Sequence, residues 1–155
     1  MEVFGLLLLV VVVIIAVAFV FFKWFKKPTV EDLGLHYGEK MVFDDDKCSI
    51  ELPEGSVPEP LGDIFVRATN KRIIIGLGGK RKHLLKYVVY YDEKTTKSSG
   101  GKKGYISFTA DPGSITYPAE NIVRIEPSAS AGPDVPRWLQ IKTGQIGNFK
   151  EAFRA

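Results

Sequence analysis

The chain has 155 residues, enough for one compact domain and a short additional segment. Its net charge of +3 is unevenly distributed: residues 31–63 carry ten acids against two Lys, and residues 67–103 carry eleven Lys or Arg against two acids. Because the two blocks nearly cancel, the composition disfavours a nucleic-acid binder, and the single cysteine, Cys48, excludes an internal disulfide.

The first predicted element is a transmembrane helix. Residues 3–22 form a run of 20 residues without a charge, an amide or a hydroxyl. At about 1.5 Å per residue this run is about 30 Å long, the thickness of the hydrocarbon core of a bilayer. A cleavable signal peptide is the alternative, with a small-residue site at 16–18. It is disfavoured because no basic region precedes the run, which is also longer than the apolar part of a typical signal.

The residues that flank the run predict its orientation. Only Glu2 precedes it, whereas lysines follow it, so the positive-inside rule places the N-terminus outside and the remainder in the cytoplasm of a single-pass cell-membrane protein. The residues expected to hold the helix end at the membrane interface are Lys23, Trp24, Lys26 and Lys27. The predicted domains are an anchor at 1–27, a linker at 28–37 and a cytoplasmic domain at 38–155.

Within the linker, one turn of helix is predicted. Pro28 disfavours continuation of the preceding helix. Thr29 and Asp32 have the spacing of a capping box, and Gly34 follows as a helix terminator.

The domain that follows is predicted to be mainly β. Short segments rich in Val, Ile, Tyr and Phe recur between turn signals without a helical period, which predicts an antiparallel β-barrel or sandwich. At the C-terminus, Asn148 is predicted to cap a short helix that carries Phe149 and Phe153 on one face, with Trp138 packed beneath it. The predicted strands are 40–43, 49–52, 64–68, 72–77, 84–91, 105–109, 114–117, 122–126 and 138–142.

Three segments carry a family resemblance: GEKMVF (38–43), GDIFVRATNKRIIIG (62–76) and ITYPAENIVRIEP (115–127). In a chain of strands followed by one helix, they resemble the pleckstrin-homology-like (PH-like) superfamily, in particular its GRAM and bacterial PH-type branch. The resemblance implies a PH-like barrel that acts as a non-enzymatic binding or scaffolding module. PH domains that bind phosphoinositides place basic residues in the first hairpin loop. The matching stretch here, DDDK (44–47), is acidic, so inositol-phosphate recognition in the usual pocket is not expected.

The glycines at 76, 78 and 79, followed by Lys80, invite comparison with a phosphate-binding loop. The spacing is wrong for either nucleotide motif, because Arg81 occupies the position that should be Gly or Ser/Thr, and a strand follows instead of a helix. We therefore predict a hairpin turn in which glycine supplies positive φ.

A basic surface is the candidate binding site, formed by Lys80, Arg81, Lys82, Lys86, Lys102 and Lys103. Two mechanisms compete: contact with anionic headgroups of the membrane lipid bilayer, and capture of a protein partner, including a peptide taken up at a sheet edge or helix groove. An accessory subunit of a larger membrane complex is a related alternative. The structural alternative is that these are solvated lysines at turns, partly neutralised by the acidic block.

Catalytic motifs are absent from the sequence. No H-x-x-x-H, C-x-x-C or G-x-S-x-G occurs, and the aspartates at 44–46 lack the glycine and glutamate of a calcium loop. Aspartates next to Cys48 would raise its pKa and leave the thiol unreactive. No catalytic residue, metal ligand or cofactor is predicted.

Overall fold

The computed structural model describes residues 2–25, 27–53, 63–78, 82–92, 104–129 and 131–153. Its helices are α1 (Glu2–Phe25), α2 (Val30–Leu33) and α3 (Ile146–Ala152), with a 3-10 turn at Pro112–Ser114. The strands are β1 (Met41–Glu51), β2 (Ile64–Thr69), β3 (Arg72–Leu77), β4 (Leu84–Tyr90), β5 (Ile106–Thr109), β6 (Thr116–Ala119), β7 (Ile122–Ile125) and β8 (Leu139–Lys142). The prediction of a mainly β domain with a short C-terminal helix is confirmed.

The strands form one sheet in the order β5-β4-β3-β2-β1-β8-β7-β6. Neighbouring strands are antiparallel except β4 and β5, which are parallel, so the antiparallel prediction fails at one edge. Strand β1 pairs with β2 up to Cys48 and with β8 from Ser49 onwards. The strands predicted at 40–43 and 49–52 are therefore one bent strand, and the DDDK segment is its bend instead of a hairpin loop.

Helix α3 closes the inner face of the sheet. Phe149 is fully buried, and its ring lies 5.0 Å from that of Phe43 and 4.8 Å from that of Phe153, which confirms that the two helix aromatics share a face. The helix begins at Ile146, so Asn148 lies inside it and is not its cap. Trp138 is half-buried, with the Arg124 guanidinium 5.1 Å from its ring.

Residues 28–39, which we call the strap, lie on the outer face of the same sheet. Thr29 forms a bridge with Leu84, and the Val30 amide donates to the His83 carbonyl at 2.8 Å. The predicted capping box is present, since the Thr29 amide and hydroxyl both donate to Asp32. The Val30 side chain is 2% exposed. It belongs to an outer apolar cluster with Phe65, Ile74, Leu85, Val88 and Tyr90.

The glycines near the β3–β4 turn are required by close approach and not by positive φ. Gly76 and Gly78 are absent from the glycines that have positive φ. A Cβ on Gly76 would lie 2.6 Å from Val30 Cγ2, and a Cβ on Gly78 would overlap the Asp63 carbonyl. Strands β3 and β4 pair as a hairpin, and Gly76 and Gly78 make room for the strap and for the chain that enters β2. Gly79 lies outside the described residues.

The predicted transmembrane helix is wrong. In the part of the chain that the structure describes, no helix is both long enough and apolar enough to cross a membrane. The single-pass topology, the cell-membrane localisation, the cytoplasmic placement of the domain and the interface role of Lys23, Trp24, Lys26 and Lys27 fall with it.

Because the strap packs closely on β3 at Gly76, adding a side chain at this position should destabilise the fold. We expect Gly76→Ala to lower the free energy of unfolding by about 1–3 kcal/mol, because the added methyl overlaps Val30. In the Val30→Ala background the cost should shrink, since the γ-methyls are gone. Urea denaturation of both single variants and the double variant measures this coupling.

Gly147→Ala is the matched control. A Cβ there meets nothing within 4 Å, and alanine is favoured over glycine inside a helix by about 0.5–1 kcal/mol, so stability should hold or rise. An equal cost for Gly76→Ala with and without the Val30 γ-methyls would contradict the strap's placement.

Candidate interaction surfaces

The structure places only part of the predicted basic surface. Lys82 and Lys86 are exposed, as is Lys27 after α1. Lys23 and Trp24 belong to α1, but their side chains are outside the description. The predicted site residues that lie outside the described residues are Lys26, Lys80, Arg81, Lys102 and Lys103.

The β3–β4 turn lies beside the start of β2. The Gly78 amide donates to the Asp63 carbonyl at 2.6 Å, so the end of the β1–β2 connection and the start of the β3–β4 turn meet at one end of the sheet. In sequence, the segment 52–63 contains three acids and no lysine or arginine, whereas 80–83 reads KRKH. The two chain segments that meet at this end of the sheet therefore have opposite charge: the one that leads into β2 is acidic, and the one that follows β3 is basic.

His83, the last residue of KRKH, has a structural role. Its ring stacks on Phe65 with a centroid distance of 4.3 Å, and its Nδ1 lies 2.8 Å from Glu31 Oε1. The His83 amide also donates to the Glu31 carboxylate at 3.2 Å. Burial raises the pKa of Glu31, but the hydrogen bonds from His83 outweigh it and the net pKa is lowered. The histidine thus links α2 to β4.

Lys86 is directed to the surface by a β-bulge. Tyr87 pairs with Ile75 and Leu85 pairs with Gly76, so Lys86 has no partner residue across the strand. A bulge of this kind turns its extra side chain out of the regular alternation. The lysine is therefore available to a ligand, although its neighbours in β4 are buried.

The TNKR segment, residues 69–72, holds the strap in place. Arg72 and Glu39 form a fully buried ion pair: Nε lies 2.8 Å from Oε1 and Nη2 lies 3.0 Å from Oε2. Arg72 Nη2 also donates to the Gly34 carbonyl at 2.6 Å, and the Thr69 hydroxyl lies 2.6 Å from Glu39 Oε1. Burial raises the pKa of Glu39, but the hydrogen bonds from Arg72, His36 and Thr69 outweigh it, so the pKa is lowered.

The acidic DDDK segment also has a structural role. Asp45 is 6% exposed and accepts hydrogen bonds from the Thr143 hydroxyl at 2.5 Å and the Lys47 amide at 3.0 Å. Burial first, then Asp45, raises the pKa of Cys48 to about 12, so this thiol is not a nucleophile at neutral pH. Within the described ranges, no group of three or more His, Cys, Asp or Glu is placed to hold a metal ion.

Two apolar surfaces were not recognised as binding surfaces from the sequence. On α1, the described large side chains at 8–22 are between 47% and 82% exposed. A second group lies close together in the sequence, at residues 35–42, where Tyr37 is 102% exposed and Met41 is 49% exposed. Exposed apolar patches of this kind mark interaction sites more often than isolated exposed residues do.

Comparison with known proteins finds no matching family, no similar curated protein and no similar solved structure.

The ion pair makes a direct prediction for stability. We expect Arg72→Met to lower the free energy of unfolding by about 3–5 kcal/mol, because it leaves the Glu39 carboxylate buried without its partner. Adding Glu39→Gln should recover part of the loss. Arg124→Met, which removes a more exposed pair with Glu126, should cost about 1 kcal/mol or less. Similar costs at the two sites, measured by urea denaturation, would contradict the assignment.

The same carboxylate predicts acid sensitivity. A group whose pKa is lower in the folded state stabilises the protein above its unfolded pKa, near 4.5 for Glu39, and that contribution is lost as the pH falls below it through the folded value. We expect Glu39→Gln to flatten the fall in unfolding free energy below about pH 4.5, leaving the part due to Asp45 and Glu31, whose pKa values are also lowered. The exposed Glu51→Gln is the control, and should keep the wild-type slope in denaturant titrations at successive pH values.

Proposed function

We propose that this chain is a non-enzymatic binding and scaffolding module with a PH-like domain, acting as an accessory subunit that docks to protein partners. Three placements support the PH-like part. GEKMVF opens β1, TNKR is the turn of the β2–β3 hairpin, and residues 115–127 contain the β6–β7 pair. Strands followed by one C-terminal helix are also the order on which the resemblance rests.

The exposure of α1 is the observation that carries protein docking. Its described side chains are apolar on all sides, from Val11 at 47% exposed to Phe22 at 82%. A helix that is apolar all round is stable when other elements surround it, and a contiguous exposed apolar surface is a sign of an interaction site. In the part of the chain that the structure describes, α3 packs on the inner face of the sheet and the strap on its outer face, while the side chains of α1 at 8–22 are exposed.

The charges at the β3–β4 end agree with a protein ligand. Lys82 and Lys86 are exposed there, whereas the acidic residues Glu31 and Asp63 are exposed at the same end. A surface that presents both signs is complementary to a protein surface of mixed charge, and a uniformly anionic ligand would meet repulsion from the acids.

The test is purification of the tagged full-length chain from its own cells after cross-linking, with mass spectrometry of the proteins and lipids recovered. We expect a stoichiometric protein partner, lost in the Ile14→Asp/Ala18→Asp variant because the charges prevent burial of α1. Ala119→Asp, which puts a charge at an exposed position of β6, should retain the partner. Recovery of the chain alone or with lipids only, or retention of the partner by the α1 variant, would contradict the proposal.

A phosphorylated anionic ligand at the β3–β4 end is the second candidate. The bulge that exposes Lys86 beside the exposed Lys82 favours it, and each lysine that reaches an anionic surface contributes about 1 kcal/mol. Lys82→Glu/Lys86→Glu should therefore weaken binding of the full chain by roughly tenfold or more. Lys47→Glu/Lys142→Glu, at exposed lysines elsewhere, should not.

Three probes separate the sources of that anion: vesicles with anionic lipid, neutral vesicles and soluble inositol phosphate. If the chain binds anionic vesicles more tightly than the other two probes, the ligand is a lipid headgroup. If it binds soluble inositol phosphate as tightly as anionic vesicles, the ligand is the free phosphate. Equal affinity for neutral and anionic vesicles without salt dependence, together with no binding of inositol phosphate, would eliminate this candidate.

A further inference from the structure

One short segment contains most of the exposed apolar residues of the domain. Outside α1, five large apolar residues are exposed in the described ranges, and four of them lie between residues 35 and 42. The fifth, Leu84, lies at the other end of the sheet. The four are Leu35 at 52%, Tyr37 at 102%, Met41 at 49% and Val42 at 37%.

A β-bulge accounts for part of this exposure. Met41 pairs with Thr69 and Phe43 pairs with Ala68, so Val42 has no partner in β2. The extra residue breaks the alternation of inward and outward side chains, and two successive apolar residues become exposed. Tyr37 stands in the turn before Gly38, which has a φ of 73°, and no alternation directs its side chain inward.

The backbone beneath these side chains is held in one conformation. Asn70 accepts from the Lys40 amide at 2.8 Å and donates to the Gly38 carbonyl at 3.3 Å. Lys71 Nζ donates to the Tyr37 carbonyl at 2.9 Å, and Glu39 is tied to Arg72. A surface ordered in advance loses less conformational entropy when a ligand binds.

The charges of this surface select the ligand. Lys40 is exposed and Lys71 is partly exposed. The nearby acids are engaged: Glu39 is buried against Arg72, and Asp44 lies 3.5 Å from Arg67. The surface is therefore apolar with a positive rim, which is complementary to an acidic ligand and would repel a second copy of itself.

We propose that the surface formed by Leu35, Tyr37, Lys40, Met41, Val42 and Lys71, called the Tyr37 surface, binds an acidic peptide segment with large apolar side chains from a partner protein. The inference rests on the proposed docking function and adds a site and a ligand chemistry to it. The Tyr37 surface adjoins the β2–β3 turn, at the end of the sheet opposite to the β3–β4 turn, so it is separate from the basic residues predicted from the sequence.

In the test, the full-length chain is immobilised and used to select binders from a displayed library of random 12-residue peptides. We expect enrichment of Asp or Glu together with Leu, Ile, Phe or Trp. The enriched peptides should bind Tyr37→Ala, Met41→Ala and Lys40→Glu about tenfold or more weakly than the wild type. Because Tyr37 is fully exposed, its truncation leaves the core packing unchanged, and thermal denaturation checks this.

Leu84→Ala and Lys47→Glu are matched controls, since they remove an exposed apolar residue and an exposed lysine elsewhere, and they should bind as the wild type does. Enrichment of basic or uncharged peptides, or affinity unchanged in the three variants, would overturn the inference. Two further results would overturn it: self-association of the chain that Tyr37→Ala abolishes, or displacement of the bound peptide by anionic vesicles.

The α1 variant Ile14→Asp/Ala18→Asp separates this inference from the proposed function. Loss of the cellular partner in that variant with peptide binding intact supports both. A partner that depends on α1, with no acidic peptide selected, overturns the Tyr37 surface alone. Selection of acidic peptides by a chain that has no cellular partner overturns the docking role of α1 alone.

Discussion

The buried ion pair between Glu39 and Arg72 is the contact on which the arrangement of the domain depends. It joins the end of the strap to the β2–β3 turn, and both side chains are completely removed from solvent. Burial of two charges costs several kcal/mol per ion unless their hydrogen bonds are satisfied. Here the Thr69 hydroxyl, the His36 amide and the Gly34 carbonyl supply most of those bonds, whereas Arg72 Nη1 is buried without a partner in the described part of the chain. The pair therefore fixes one position of the strap, because any shift leaves a buried charge unpaired.

With the strap in place, both faces of β3 and β4 are buried. Ile73 and Ile75 belong to the inner cluster, and Ile74 belongs to the outer cluster with Val30. A strand covered on both sides is apolar at successive positions instead of alternating ones, which explains the triplet at 73–75. The folded unit therefore includes residues that the sequence places in a linker. Since α1 ends at Phe25 and the strap begins at residue 28, α1 is joined to the domain by only two residues.

Local patterns predict much of the fold, and the errors arise where distant contacts decide. The strands at 64–69, 72–77 and 84–90 follow from β-branched and aromatic runs between turn residues. The sequence DDDK is typical of a turn because aspartates favour turns, yet Asp45 is buried and accepts a hydrogen bond from Thr143, 98 residues away. The Tyr37 surface was missed because a bulge depends on the pairing register with β2. Composition predicts the basic residues at the β3–β4 turn. It does not predict the contact between His83 and Glu31, which are 52 residues apart in the sequence.

The two ends of the strap differ in the strength with which they are held. At Glu39 the partner groups are fully buried, whereas at Glu31 the carboxylate is 41% exposed and the His83 side chain is 24% exposed. An exposed pair contributes less than about 1 kcal/mol, and breaking a buried one costs several. We therefore expect the contact at Glu31 to open more readily than the contact at Glu39. The Tyr37 surface adjoins the buried pair, so its backbone lies next to the ion pair that costs more to break.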